Sequence, residues 1–184
     1  TVILSKKFSN IVIVEPNKKF FRYVHNLIKC RGFNKKWGKV NVGNERFDLI
    51  LAIHVFYYIP KKNWHKQINR MINALSDNGK LIIVLQSKIS HLYISANQFL
   101  KKESDINSEE LIKILRKQKI KFTLHILTTK LWANNKKEIE SLGNFLLEAH
   151  NVPKKNIRAF SFWRKKENKF YATNKEHLII VSKL

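Results

Sequence analysis

Apolar residues recur along this chain in two rhythms, one suited to buried strands and one to helices. Ile11 to Val14 is a short, continuous β-branched run, the pattern of a strand covered on both faces. Glu15-Pro16-Asn17 ends it. Phe20, Phe21, Val24 and Ile28 then fall at helical spacing, and Gly32 closes that helix. Lys39 to Val42 is a second short strand candidate. Phe47 to Val55 is a longer apolar run and a further buried strand. Pro60 opens a helix through Trp64, Ile68, Ile72 and Leu75 that stops at Asp77-Asn78-Gly79, and Lys80 to Leu85 is the next buried strand.

The second half begins with an amphipathic stretch, Ile89 to Lys102, patterned as a helix. Asn107-Ser108-Glu109-Glu110 is a helix start, a polar cap followed by acids that suit the positive end of the helix dipole, and that helix runs to Gln118. Ile120 to Thr129 alternates as a strand does, Glu138 to Ala149 is helical, and Phe170-Tyr171 and His177 to Val181 are two terminal strand signals. Strands alternating with helices predict an α/β domain with a mostly parallel sheet, closed by an antiparallel strand near the end.

Length and composition add bounds. At 184 residues with 44% hydrophobic content, one domain with a sizeable core is expected over 1–184. A single cysteine, Cys30, leaves no intrachain disulfide and fits a reducing, cytoplasmic compartment. No apolar run reaches the roughly 20 residues of a membrane span. The charge is lopsided, 36 Lys+Arg against 13 Asp+Glu for a formal +23. Such a field attracts phosphate-rich partners, but the lysines are scattered and the Lys, Asn and Ile content fits an AT-rich coding sequence, so a solvated surface is the favoured reading.

In an open α/β sheet, ligands bind beyond the carboxyl ends of the strands. Glu15, after the first run, is placed to accept hydrogen bonds from ribose hydroxyls; otherwise it is a loop acid. His54, after the second, is either a substrate-binding or basic imidazole or one satisfied by backbone. Tyr57 and Tyr58 come next, and Tyr58 is expected to pack over the sheet edge. Gln86 and Ser87, after the third, either line a pocket or cap the next helix, with capping favoured, and Trp64 is expected to be core. His91, His125 and His150 lack a second ligand three to five residues away, so no metal site is expected. There is no nucleophile motif and no Walker-type loop.

IVIVEPN (Ile11 to Asn17), FDLILAIHVFYYI (Phe47 to Ile59) and NGKLIIVLQS (Asn78 to Ser87) together resemble the second, fourth and fifth strands of Rossmann-like class I S-adenosylmethionine-dependent methyltransferases. Ile53 to Tyr58, INSEELIKILRKQKIKFTLHIL (Ile106 to Leu127) and the Phe170 to Val181 ending are similar to the histamine N-methyltransferase-like group. The resemblance implies S-adenosylmethionine as cofactor, with Glu15, Pro16 and Asn17 at its ribose and Ile53 and His54 beside it. It implies that His54 faces a small amine acceptor, with Tyr57 helping to orient it and Asn174 contacting it. It also implies that the first strand and glycine-rich loop lie just before Thr1, with Thr1 to Lys7 the tail of the helix after them, so that the chain is a fragment or is completed by another chain. The histamine enzymes carry Gln where this chain has His54, which argues against histamine itself. Two other readings are a nucleic-acid methyltransferase using the basic surface and a non-catalytic methyltransferase-like subunit.

Overall fold

The computed structural model describes residues 2–99, 105–141, 164–166 and 168–183. The chain falls into two compact units, Thr1–Glu45 and Arg46–Leu184.

The first unit holds a helical turn α1 (Val2–Ser5), strand β1 (Val12–Val14), helix α2 (Lys18–Leu27) and strand β2 (Arg31–Phe33). β1 and β2 pair in parallel, Val12 with Arg31 and Val14 with Phe33. Asn17 caps α2, its Oδ1 accepting from the amides of Lys19 at 2.9 Å and Phe20 at 3.3 Å. This satisfies two of the N–H groups that a helix start leaves without partners. Of the expected apolar stripe, Ile28 is buried and Phe21 and Val24 are half-buried, but Phe20 is 59% exposed. The helix also ends earlier than its pattern promised. Residues 31–33 leave it to pair with β1, and Gly32 permits this because a Cβ there would meet Phe21 and His25 side chains at 2.7 Å. Lys39 to Val42 is not a strand: Trp37–Lys39 is a 3-10 turn that tucks Val40 into the core.

The second unit is built on a five-stranded sheet. Its strands are β3 (Phe47–Ile53), β4 (Leu75–Gln86), β5 (Phe122–Ala133), β6 (Arg164–Lys166) and β7 (Lys169–Ser182). They lie in the order β3-β4-β7-β5, with β6 also pairing with β7. β3 and β4 are parallel, and β7 is antiparallel to β4, β5 and β6. Four strands therefore point one way and β7 alone is reversed, giving the expected mostly parallel α/β architecture with its antiparallel C-terminal strand. The two terminal strand signals belong to one continuous strand.

Among the helices that accompany the sheet are α3 (Trp64–Asn73), α4 (His91–Phe99) and α5 (Ser108–Lys117). Trp64, Ile68 and Met71 form the buried stripe of α3, at the spacing that brings residues onto one helix face. Asn107 caps α5, its side chain accepting from the Glu110 amide at 3.0 Å, with Glu109 and Glu110 in the first turn and Arg116 and Lys117 in the last. The turn expected at Asp77-Asn78-Gly79 is present as an irregularity inside β4. Register jumps there, from Phe47 opposite Leu75 to Leu49 opposite Lys80, and Asn78 adopts φ 66°. Residues 136–141 are helical; the rest of the expected Glu138 to Ala149 helix and His150 lie outside the described residues. Among the described residues no helix is long and apolar enough to cross a membrane.

Candidate functional site

Each unit presents candidate ligand-binding residues just beyond strand ends. In the first unit, Glu15 comes directly after β1. Its amide donates to the Phe33 carbonyl at 3.1 Å, and its Oε1 accepts from the Asn17 amide at 2.7 Å. The carboxylate is thereby held in place, while Oε2 accepts no hydrogen bond among the described residues. Asn34 Nδ2 donates to the carbonyls of Glu15 and Pro16 at 2.8 and 3.1 Å, which fixes the loop. A carboxylate oriented through one oxygen and open at the other fits a pair of vicinal ribose hydroxyls, both of which are donors. Pro16 and Asn17 are exposed, and the cap of α2 engages the Asn17 Oδ1.

In the second unit, the turn after β3 organises the site. Phe56 is fully buried and meets Trp64 edge-on, ring centroids 5.3 Å apart; the Trp64 indole N–H donates to the Ile59 carbonyl at 2.8 Å. This anchor fixes a short 3-10 turn at Phe56–Tyr58. Ile53 is 51% exposed at the strand end. His54 then takes φ 54°, in the left-handed region that a non-glycine residue seldom occupies, and its amide donates to the Val84 carbonyl at 3.0 Å. Such strained positions cluster at functional sites.

From there a polar cluster runs into the sheet. His54 Nε2 lies 3.1 Å from Glu176 Oε1, with the histidine side chain 43% exposed and the glutamate 11%. The Asn174 amide N–H donates to the same Glu176 oxygen at 2.7 Å. Asn174 Oδ1 accepts from Gln86 Nε2 at 3.0 Å and Ser90 Oγ at 2.7 Å. Gln86 stands opposite Glu176 in the β4/β7 ladder, and Asn174 and Glu176, two residues apart, share a face of β7. Gln86, Ser90, Asn174 and Glu176 are all buried. The hydrogen bond from His54 holds the Glu176 carboxyl below the usual carboxylate range, against burial, which works in the other direction.

Tyr57 completes the wall. Its ring stacks on His54 at 5.9 Å and 12°, and its hydroxyl accepts from the Gln86 amide at 3.2 Å. Burial pushes its phenol pKa up, so it stays a neutral hydroxyl at physiological pH. Tyr58 does not pack: it is 66% exposed because the 3-10 turn directs Phe56 inward instead.

The structure thus brings together His54, Tyr57 and Asn174, which the resemblance had named. It adds Glu176 and Ser90, which sequence reasoning missed, and Gln86, for which capping had been favoured over lining a pocket. Gln86 does not act as a helix cap but is a buried member of the cluster. Glu176 left no signal in the sequence, because it stands in the polar stretch Thr173-Asn174-Lys175-Glu176, which carries no strand pattern. A separate polar group lies around Glu109, which accepts from Ser87 Oγ and from the Lys88 amide, while Ser108 Oγ meets His177 Nδ1 at 2.9 Å. Among the described residues no group of His, Cys, Asp and Glu is arranged to hold a metal ion.

No family profile and no curated protein matches the sequence. Solved structures do match the fold. The YcgJ protein of Bacillus subtilis is 12% identical with a TM-score of 0.58, covering 94% of this chain and 81% of its own. An S-adenosylmethionine-dependent methyltransferase of Methanosarcina mazei is 11% identical with a TM-score of 0.56, covering 95% and 82%. The N-methyltransferase NodS of Bradyrhizobium japonicum, solved with S-adenosylhomocysteine, is 10% identical with a TM-score of 0.51, covering 95% and 67%. The chain has the Rossmann-like α/β fold shared by these proteins.

Proposed function

We propose that this protein is an S-adenosylmethionine-dependent methyltransferase that methylates the nitrogen of a small amine. The observation that carries the reading is His54, held in a left-handed conformation at the end of β3 and tied to a buried Glu176–Asn174–Gln86 cluster. A buried polar cluster opening through one half-exposed imidazole is a place for an acceptor.

Glu15 holds the cofactor ribose through its open oxygen, with Pro16 and Asn17 beside it. The methyltransferase resemblance assigns Ile53 and His54 to the cofactor as well, as an apolar side chain and an imidazole. His54, Tyr57 and Asn174 receive the acceptor. When bound, the cofactor supplies an electrophilic methyl on a sulfonium sulfur. The protein's own work is orientation of the amine lone pair and exclusion of water, which together remove much of the entropic barrier. The fold shared with methyltransferases and the open Glu15 carboxylate support this assignment.

The test is calorimetric titration of S-adenosylhomocysteine into this chain and into a version extended upstream through the glycine-rich loop expected from the resemblance. Binding by the extended version that Glu15→Ala abolishes is the expected result. Failure of both versions to bind removes the methyltransferase assignment. RNA binding that weakens steeply with salt, in place of cofactor binding, redirects attention to the +23 charge.

A further inference from the structure

We infer that His54 and Glu176 form a proton-accepting pair, with His54 Nδ1 the accepting atom, and that the methyl acceptor enters as an ammonium ion. This rests on the methyltransferase reading above and deepens it.

The geometry fixes the proton. An ionised carboxylate can only accept hydrogen bonds, so the 3.1 Å contact requires the hydrogen to sit on His54 Nε2. In a neutral imidazole the lone pair is then on Nδ1, which has no partner among the described residues. Glu176 is itself steadied by the Asn174 amide at 2.7 Å, and both bonds use Oε1, leaving Oε2 without a partner among the described residues. The cluster therefore presents one basic nitrogen and one anionic oxygen. Tyr57, stacked on the imidazole, is the other titratable group against it and stays neutral.

The charge selects the acceptor. A buried carboxylate attracts a cation and repels an oxyanion, so a phenolate or carboxylate acceptor is disfavoured beside Glu176. An alkylammonium has a pKa near that of lysine, about 10.4, so at pH 7 roughly one molecule in 2,500 carries a lone pair. An ammonium nitrogen cannot attack a methyl group, and a base in the site removes that handicap. The steps balance. His54 Nδ1 takes one proton from the ammonium. The freed amine lone pair forms the new N–C bond as the S–C bond breaks, with its electron pair remaining on sulfur. The methylated ammonium departs and His54 returns its proton to water. His54 is then a catalytic residue and Glu176 a positioning residue that sets its tautomer.

Two measurements test this. The first needs no cofactor: 15N NMR of the His54 ring near neutral pH. Protonated Nε2 with unprotonated Nδ1 is expected in the native protein, with loss of that preference in Glu176→Ala; the opposite tautomer in the native protein overturns the inference. The second compares benzylamine, an ammonium at pH 7, with aniline, neutral at pH 7. His54→Asn should lower the benzylamine-to-aniline ratio of kcat/KM by about 10²–10⁴-fold, the range of general-base effects. The isosteric Glu176→Gln should lower the same ratio, with folding checked by its melting curve. Equal losses on both amines, or methylation of aniline alone by the native enzyme, sink the proton-accepting pair and leave the methyltransferase reading standing. Methylation of neither amine, despite binding of S-adenosylhomocysteine, removes the small-amine assignment together with this inference.

Discussion

Asn174 and Glu176 stand two residues apart on β7, face the same way, and are joined by a 2.7 Å hydrogen bond in which the amide donates to the carboxylate. Asn174 simultaneously accepts from Gln86 and Ser90, so it is the hinge of the whole cluster. Replacing it by alanine removes the shared acceptor of Gln86 and Ser90 and one of the two donors to Glu176 Oε1, while the Gln86–Ser90 and His54–Glu176 contacts remain. Asn174→Ala should cost about 1–3 kcal/mol in urea unfolding, from lost buried hydrogen bonds each worth about 0.5–1.5 kcal/mol. Asn174→Asp should be worse, because it sets a second carboxylate against Glu176. An alanine variant as stable as the native protein would show that the cluster is not closed in this way.

Gly79 has no room for a side chain. A Cβ there would lie 2.7 Å from the Phe47 carbonyl oxygen and 2.8 Å from that of Ser76. Both obstacles are backbone atoms, which cannot rotate aside. Gly79→Ala is expected to destabilise the protein by about 1–3 kcal/mol, as overpacking does. Gly43→Ala serves as a control: it meets nothing within 4 Å, so only its φ of 57° opposes the change. Denaturant midpoints for the two variants decide between crowding and backbone conformation.

Two adjacent carboxylates make stability depend on acid. Hydrogen bonds from Lys113 and Lys61 lower the Glu110 pKa to about 2. Burial alone would raise Glu109, but hydrogen bonds from Ser87 and the Lys88 amide outweigh it and the net shift is downward. A carboxyl with a lower pKa in the folded state binds fewer protons there than in the unfolded chain. Its contribution is therefore complete above the ordinary value, about 4.3, and fades as pH falls through the folded value. The melting temperature should hold steady from pH 7 to about pH 5 and drop below about pH 4.5. Glu110→Gln and Glu109→Gln should each make that drop shallower, with the native protein's advantage over Glu110→Gln gone near pH 2. Parallel curves for native and variant proteins would refute the assignment.

Tyr57→Phe removes the acceptor for the Gln86 amide and leaves the ring on His54. A loss of about 0.5–1.5 kcal/mol is expected, the net worth of a typical hydrogen bond. If the amine binds as proposed, its KM should rise while cofactor affinity holds. A matching loss of both would place Tyr57 in the scaffold and not at the acceptor.

Part of this was legible in the sequence because apolar runs mark strands, even though β1 is only half-buried and β3 leaves Leu51 and Ile53 exposed. β1, the Leu49–Ile53 part of β3 and the Leu81–Leu85 part of β4 are continuous apolar runs, and Asn107-Ser108-Glu109-Glu110 announced α5 through its cap. Glu15 and His54 stand out because each is a polar residue set at the carboxyl end of such a run. β2 was not legible, since Arg31-Gly32-Phe33 is too short to show a period and is defined by its partner β1. β7 showed only its apolar ends. The polar stretch Thr173-Asn174-Lys175-Glu176 looks like a loop when solvent is assumed to satisfy it, yet Gln86, Ser90 and His54 do so instead. Glu176 was invisible for the same reason: its partners lie far away in sequence, and only the ladder of β7 with β4 brings them opposite.

The reversal of β7 bears on how the protein is made. β4 and β5 do not touch each other in the sheet; each pairs with β7, which lies between them and is the last of the described elements to leave the ribosome. Until it emerges, two long strands wait with unpaired edges, the condition under which nascent chains stick to one another. The same strand delivers Asn174 and Glu176. Completion of the sheet and completion of the polar cluster are thus a single event, the arrival of β7, and a chain interrupted before residue 169 would lack both.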